Sequence, residues 1–396
     1  MKDKKIIIAI IAIIVILGLI LIVKNNKTSN NNNTGEDAYI NKDISEKKDD
    51  TSAIAVEKDT KIENDKITKT GDSSNLSESD KTGKNSAVLV NTPRSLTIDN
   101  TEITTSGAGA SGVAATSGGA RVTINDTTIT TNKERSKGLL ASGGGTIDAN
   151  NVNIQTTGDK SSGAVTDYGG GTLNITNSVI ETTGEHSAGI YSTDNIIVEN
   201  TKITTAKSTA AVIDGTGQIN LTNCDLTSGG KRAIYIYYTG ANAKDTIKGR
   251  FTMTGGSLNA TNGPAFYVTN TTAIINIENV NLTAGTGIIL NAVTDSSDLG
   301  MENAVNTQKG GDAVVTAKNQ KLEGGFVVDK QSTLDLTLSN GSSLKGYINK
   351  ENIAKKVKLT VESGCTIELT DNCYVNELDI KDGATVIKNG YKIIEK

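Results

Sequence analysis

One phrase recurs down the chain, holding its aliphatic and hydroxyl positions while its charges change. It reads NTEITTSG from Asn100, DTTITTNK from Asp126, NVNIQTTG from Asn151 and NSVIETTG from Asn177, then NTKITTAK from Asn200 and NCDLTSGG from Asn223. Two apolar positions in alternation precede each copy, as in Leu96 and Ile98, Val122 and Ile124, or Leu173 and Ile175. A further aliphatic follows three residues later: Ile103, Ile129, Ile154, Ile180, Ile203, Leu226. Alternation of this kind marks strands with one buried face. A third short apolar run completes each repeat, introduced by a Ser and a small residue, as in SGVAA, SKGLL, SSGAV and SAGIY. Three strands in about 23 to 26 residues leave no room for the helical segment of a leucine-rich repeat, and a propeller blade needs about 40 residues. An all-β solenoid fits best: a right-handed single-stranded parallel β-helix, each repeat one coil stacked about 4.8 Å above the last.

Stacking explains why the phrase returns. Every residue sits on its counterpart in the next coil, so the inward column must stay aliphatic. The Asn column (Asn100, Asp126, Asn151, Asn177, Asn200, Asn223, Asn279) falls at a corner, where Asn tolerates a left-handed backbone and its amide can bond to the amides above and below. Gly255 takes the place once. The Thr column Thr105, Thr131, Thr156, Thr182, Thr205 shares the face of the buried aliphatics, and its hydroxyls are expected to bond along the stack. Thr104, Thr130, Gln155 and Glu181 face solvent. With aromatics at 3% and no Trp, such a core is built from Ile, Val, Leu and Ala in thin layers. The pattern predicts about twelve coils over residues 60–396, with residues 60–95 and the closing NGYKIIEK as caps over the open sheet edges.

Ahead of the repeats, Ile6 to Val23 carries no charge and spans roughly 27 Å as a helix, enough for a bilayer core. Lysines flank it, and no small-residue cleavage site or lipidation cysteine follows. Residues 1–24 therefore read as an uncleaved signal anchor, a single-pass transmembrane helix that holds the chain in the cell membrane with its C-terminal domain outside. Residues 25–59 are polar and unpatterned and are expected to form a disordered tether. The net charge of −4 has no block of one sign, which argues against nucleic acid. Three cysteines are too few for a disulfide framework, and whether Cys365 and Cys373 pair stays open.

GPAFYVTNTTAIINIENV (Gly263 to Val280) and VESGCTIELTDNCYVNELDIKDGATVIKNGYKI (Val361 to Ile393) resemble phrases of bacterial right-handed β-helix surface proteins. These are adhesin-like or carbohydrate-binding-like members of the pectate-lyase-like superfamily, with a distant likeness to autotransporter passengers. The likeness covers roughly residues 85–396. It departs at Ile367, where that family commonly has Trp, and at Cys365, where it has Ser. The resemblance implies an exported β-helix and no settled ligand.

Catalysis finds no support in the sequence. A pectate-lyase-like site needs Ca²⁺ among carboxylates beside an Arg or Lys base, and a polygalacturonase-like site needs paired Asp and a Gly-His-Gly turn. Neither phrase occurs, and the single His, His186, sits in a turn. A polysaccharide lyase-like enzyme is the alternative function, and a purely structural surface stalk another. Binding is better supported. If Ile190, Ile234, Ile236 and Phe266 point inward, alternation turns Tyr191, Tyr235, Tyr237 and Tyr267 outward as a strip of exposed rings. Insertions at 241–250 and 295–312 flank Tyr267 and suggest a groove floored by these rings. The expected partner is a polysaccharide or a host or cell-surface glycan, with no catalytic residues and no required cofactor. Asp167, Asp194 and Asp214, one per successive coil, are weak candidates for calcium.

Overall fold

A single copy of a three-strand phrase cannot bury its apolar face, so the copies must stack. The computed structural model, which describes residues 37–240, 246–295 and 309–396, is a right-handed parallel β-solenoid of about 14 turns. A 22-stranded sheet that bends at the Asn corner faces a 14-stranded sheet across the core. Coil pairs with coil in register: Ile103 lies on Ile129, then Ile154, Ile180, Ile203, Leu226 and Leu258. All seven have no exposed surface. Each such side chain contributes about 1.5–3 kcal/mol by leaving water.

The Asn column has the backbone expected of it, with φ from 45° at Asn100 to 54° at Asn279, and φ 68° at Gly255. Its amides form a broken ladder. Asn151 Nδ2 donates to Asp126 Oδ1 (2.6 Å), and Asn200 Nδ2 reaches Asn177 Oδ1 at 3.4 Å. Asn177 instead donates sideways to Asn150 Oδ1 (2.9 Å). The Thr column is buried, but its hydroxyls do not run along the stack. From Thr131 on they turn the next corner within their own coil: Thr131 donates to the Ser136 carbonyl (2.5 Å), Thr156 to Ser161 (2.5 Å) and Thr182 to Ser187 (2.6 Å), whereas the buried Thr105 hydroxyl has no partner among the described residues. The serines carry the ladder between coils, with Ser161 Oγ accepting from the Ser136 amide and Ser187 Oγ from the Ser161 amide, both at 2.9 Å. A Thr hydroxyl reaches the nearer carbonyl first, and the corner puts one within its own turn.

The solenoid begins earlier than the sequence reading placed it. Residues 37–59, expected as tether, form a further coil: Asp37–Ile40 pairs with Thr60–Glu63 and Asp43–Glu46 with Lys66–Lys69. NKDISE is a degraded copy of the phrase, with Asn41 at the corner (φ 53°) and Ile44 on Ile67. This early start helps raise the count from about twelve turns to about 14. It also removes residues 60–95 from the end of the stack. They include α1 (Leu76–Thr82), capped by Asn75 Oδ1 accepting from the Glu78 amide (3.1 Å) and closed by Gly83 at φ 63°. This helix lies on the outer face of the 14-stranded sheet, where Ser79 Oγ donates to the Gly109 carbonyl (2.7 Å). At the other end, Ile393–Glu395 pairs with Cys373–Val375 in a small separate sheet.

The two insertions are shorter than expected, since Lys248–Ala260 and Gly311–Lys318 are already strands of the stack. Residues 241–245 and 296–308 of the insertions, with the anchor at 6–23 and the tether up to residue 36, lie outside the described residues. Among the described residues no helix is long and apolar enough to cross a membrane.

Cys224, Cys365 and Cys373 are free and buried, so Cys365 and Cys373 are not bonded. Burial pushes the Cys373 thiol up to about 11 and Cys224 upward as well. Because the thiolate is the reactive form, Ellman's reagent at pH 8 is expected to find no thiol in the native protein and all three after denaturation. Rapid native labelling would contradict this packing.

Candidate functional site

The sequence-predicted residues meet on the outer face of the 14-stranded sheet. Ile190, Ile234, Ile236 and Phe266 belong to the core, and the tyrosines between them form a separate cluster outside it with Ala188 and Val212. Tyr191, Val212, Tyr235 and Tyr267 stack in one column through four successive coils. Their rings are not a raised platform. Tyr235 is 4% exposed and Tyr237 1%, while Tyr191 and Tyr267 are half-buried. Tyr235 and Tyr237 lie stacked at 4.4 Å between centroids, with Tyr267 edge-on to Tyr235 at 5.7 Å. The Arg232 guanidinium covers Tyr235 (4.1 Å) and Tyr267 (4.8 Å). Side chains two residues apart share a face, so bulky neighbours on one flat strand press together and lie down.

The carboxylates are tied into this cluster rather than arranged around an ion. Asp214 Oδ2 accepts from Tyr191 Oη (3.0 Å) and Thr239 Oγ1 (3.1 Å), and its Oδ1 from the Thr239 amide (3.0 Å). Tyr237 Oη lies 3.4 Å from Tyr191 Oη. Burial drives Asp214 and both tyrosine hydroxyls upward from their ordinary values. Asp167 accepts from the Tyr168 amide (2.9 Å), and burial pushes it up to about 6.

The calcium set predicted from sequence does not assemble. Asp167 and Asp214 share a column but sit two coils apart, with Thr193 between them. That separation is about 9–10 Å between backbones, too far for one ion. Asp194 is one residue out of register and exposed, and it accepts from the Gly171 amide (3.0 Å). No group of three or more His, Cys, Asp or Glu suited to a metal occurs among the described residues. His186 is an exposed turn residue at φ 54°.

A second site lies on the opposite side of the coil, where the 22-stranded sheet bends. The bend leaves a groove with a volume of about 400 Å³, lined by Asp126, Asn151 and Asn177 at the corner and by Asn153, Gln155 and Glu181 along its floor. Successive coils supply the same position: Thr130, Gln155 and Glu181 stack in one column, and Thr128, Asn153 and Val179 in the next. Val179 is 36% exposed, an apolar surface amid amides and carboxylates. Asn153 Oδ1 is buried in this wall with no donor among the described residues. The sequence pattern marked the column of Thr130, Gln155 and Glu181 as solvent-facing. What it lacked was the corner, which sets the Asn column beside the outward columns of the strand that follows it.

Parallel coils, an aliphatic interior and outward side-chain columns define a right-handed β-helix. Residues 52–246 match the model of the family described as right handed beta helix region, and that match together with the fold supports the pectate-lyase-like β-helix superfamily. No curated protein and no solved structure matches the chain.

Proposed function

We propose that the protein is a surface binding module that holds an extended glycan along the corner groove. One observation carries this reading: chemically similar acceptors and donors recur at each coil of the groove, Asp126, Asn151 and Asn177 on one side and Gln155 and Glu181 on the other. A coil spacing of about 4.8 Å is close to the length of one sugar unit. A polymer lying parallel to the solenoid axis therefore presents hydroxyls in step with the side chains. Val179 offers a patch for the apolar face of a ring. The groove lining includes no Lys, Arg or His, whereas elimination on a polysaccharide needs such a base. This supports retention of a glycan over its cleavage. The apolar segment 6–23 supports anchorage in the cell membrane with the β-helix outside.

The tyrosine cluster, packed down under Arg232, serves this reading as a stabiliser of the outer face. A glycan array tests the assignment with the wild-type chain, the pair Gln155→Ala/Glu181→Ala, and Tyr267→Ala. Loss of binding in the groove pair alone is the expected result. Loss only in Tyr267→Ala would return the site to the tyrosines. Wild-type protein that binds nothing on the array would leave a structural stalk.

A further inference from the structure

The outer face of the 14-stranded sheet holds one more constellation, which the groove does not use. Asp80, on α1, touches the Lys137 ammonium through Oδ1 and the Arg135 guanidinium through Oδ2 (2.7 Å). Asp80 is 8% exposed and Lys137 7%, so both charged groups are almost wholly removed from water. They come from segments 57 residues apart in sequence. Asp167 stands one coil further along the same face, its strand paired with Leu139–Ser142, which begins two residues after Lys137. The charges of Lys137 and Asp80 reach it, although its hydrogen bond is to the Tyr168 amide and neither charged group bonds to it directly. A buried amine against a buried carboxyl carries a desolvation cost that an ion pair offsets only in part. Joining the two groups abolishes both charges.

We propose that Lys137 and Asp80 become joined by an intramolecular isopeptide bond, with Asp167 as proton shuttle. Lys137 Nζ gives up a proton, carried through an intervening water to the Asp167 carboxylate, and attacks Asp80 Cγ. The Nζ–Cγ bond forms as the Cγ–Oδ1 bond breaks. Of the three ammonium protons, one stays on the amide nitrogen and two leave with Oδ1 as water, one of them by way of Asp167. The ion pair thus becomes a neutral amide plus water, with no oxidant and no further reactant. Arg135, already on Oδ2, stabilises the negative charge that this oxygen gathers during the attack. A carboxyl held by burial at about 6 exchanges protons readily near neutrality, as a shuttle must. The product fastens α1 covalently to a coil above it and closes the long loop between them.

The mass of the full chain, denatured before measurement, decides the matter. The wild-type protein is expected to weigh one water less than its sequence, and peptide fragmentation is expected to find the segments holding Asp80 and Lys137 linked. Lys137→Arg keeps the buried charge but cannot form the amide, so it is expected at full mass, as is Asp80→Ala. Asp167→Asn is expected to accumulate at full mass while its circular dichroism stays that of the wild type. Wild-type protein at full mass, or a water loss mapped elsewhere, would overturn the bond. A folded Asp167→Asn protein that loses water as the wild type does would overturn the shuttle.

Discussion

Gly163→Ala is expected to lower the urea midpoint of unfolding sharply, by about 1–3 kcal/mol or more in stability, while Gly118→Ala leaves it in place. The difference is space alone, since neither glycine has a left-handed backbone. A Cβ on Gly163 would stand 2.3 Å from Cγ2 of Ile180 and 2.7 Å from the Gly189 carbonyl oxygen. The same collision repeats up the stack, with Gly138 meeting Ile154 at 2.3 Å and Gly189 meeting Ile203 at 2.3 Å. At Gly118 the nearest atom would be 3.7 Å away, an ordinary contact. The β-branched methyl that makes Ile favourable in the strand is what forbids a side chain at the corner opposite. A buried methyl with nowhere to go must move either the isoleucine or the neighbouring coil. Because each coil in a solenoid leans on its neighbours, a shift at Gly163 weakens two interfaces together. Equal midpoints for the two variants, followed by circular dichroism, would mean that this corner yields more easily than its packing indicates.

That glycine column shows how a sequence pattern can be visible before its cause is. The small residue after Ser in SKGLL, SSGAV and SAGIY is plain in the repeat, but the Ile methyl that excludes anything larger comes from another strand of the coil. The inward columns were legible because a parallel stack aligns chemically equal residues, and a one-residue slip would have put Ile129 and Ile154 in water. The first coil was missed because residues 37–59 are mostly polar and keep only Asn41 and Ile44 of the phrase. Around the site, alternation gave the outward sense of Tyr191, Tyr235, Tyr237 and Tyr267. It carried no information on how neighbouring rings settle, so two that read as exposed are buried. The Asp167, Asp194 and Asp214 set failed by a single position, since Asp194 follows the corner residue Thr193 instead of occupying its place. Loop corners vary in length by one residue without disturbing the strands, so register inferred from strands does not carry through them. The contact between Asp80 and Lys137 was invisible for a related reason: it joins a helix inserted in one coil to a strand start in another, and no periodicity links the two.

Phe251→Ala tests the inside of the stack where it is least regular, and it is expected to cost about 3–5 kcal/mol. Phe251 continues an aliphatic column, lying on Ile219 and beneath Ile275. Phe266 stands across the same coil, between Ile234 and Leu290 in the facing sheet. The two rings meet edge to face at 5.5 Å and 72°, and neither is more than 1% exposed. A ring is longer than an isoleucine, so one from each sheet fills the width of the coil with its partner. Removing either leaves a void that the rigid coils above and below cannot close, since their own registers are fixed by hydrogen bonds on both sides. The rings share this space, so the double variant Phe251→Ala/Phe266→Ala is expected to lose less than the sum of the single losses, by about 0.5–1.5 kcal/mol. On the outer face the same truncation has little to remove: Val179→Ala, at an exposed position, is expected to change stability by no more than about 0.5 kcal/mol. Urea titrations of the four variants measure all of these terms. Strict additivity of the two phenylalanine losses, or a Val179→Ala loss as large as theirs, would contradict the inside-and-outside assignment of the columns, and with it the groove that the outward columns form.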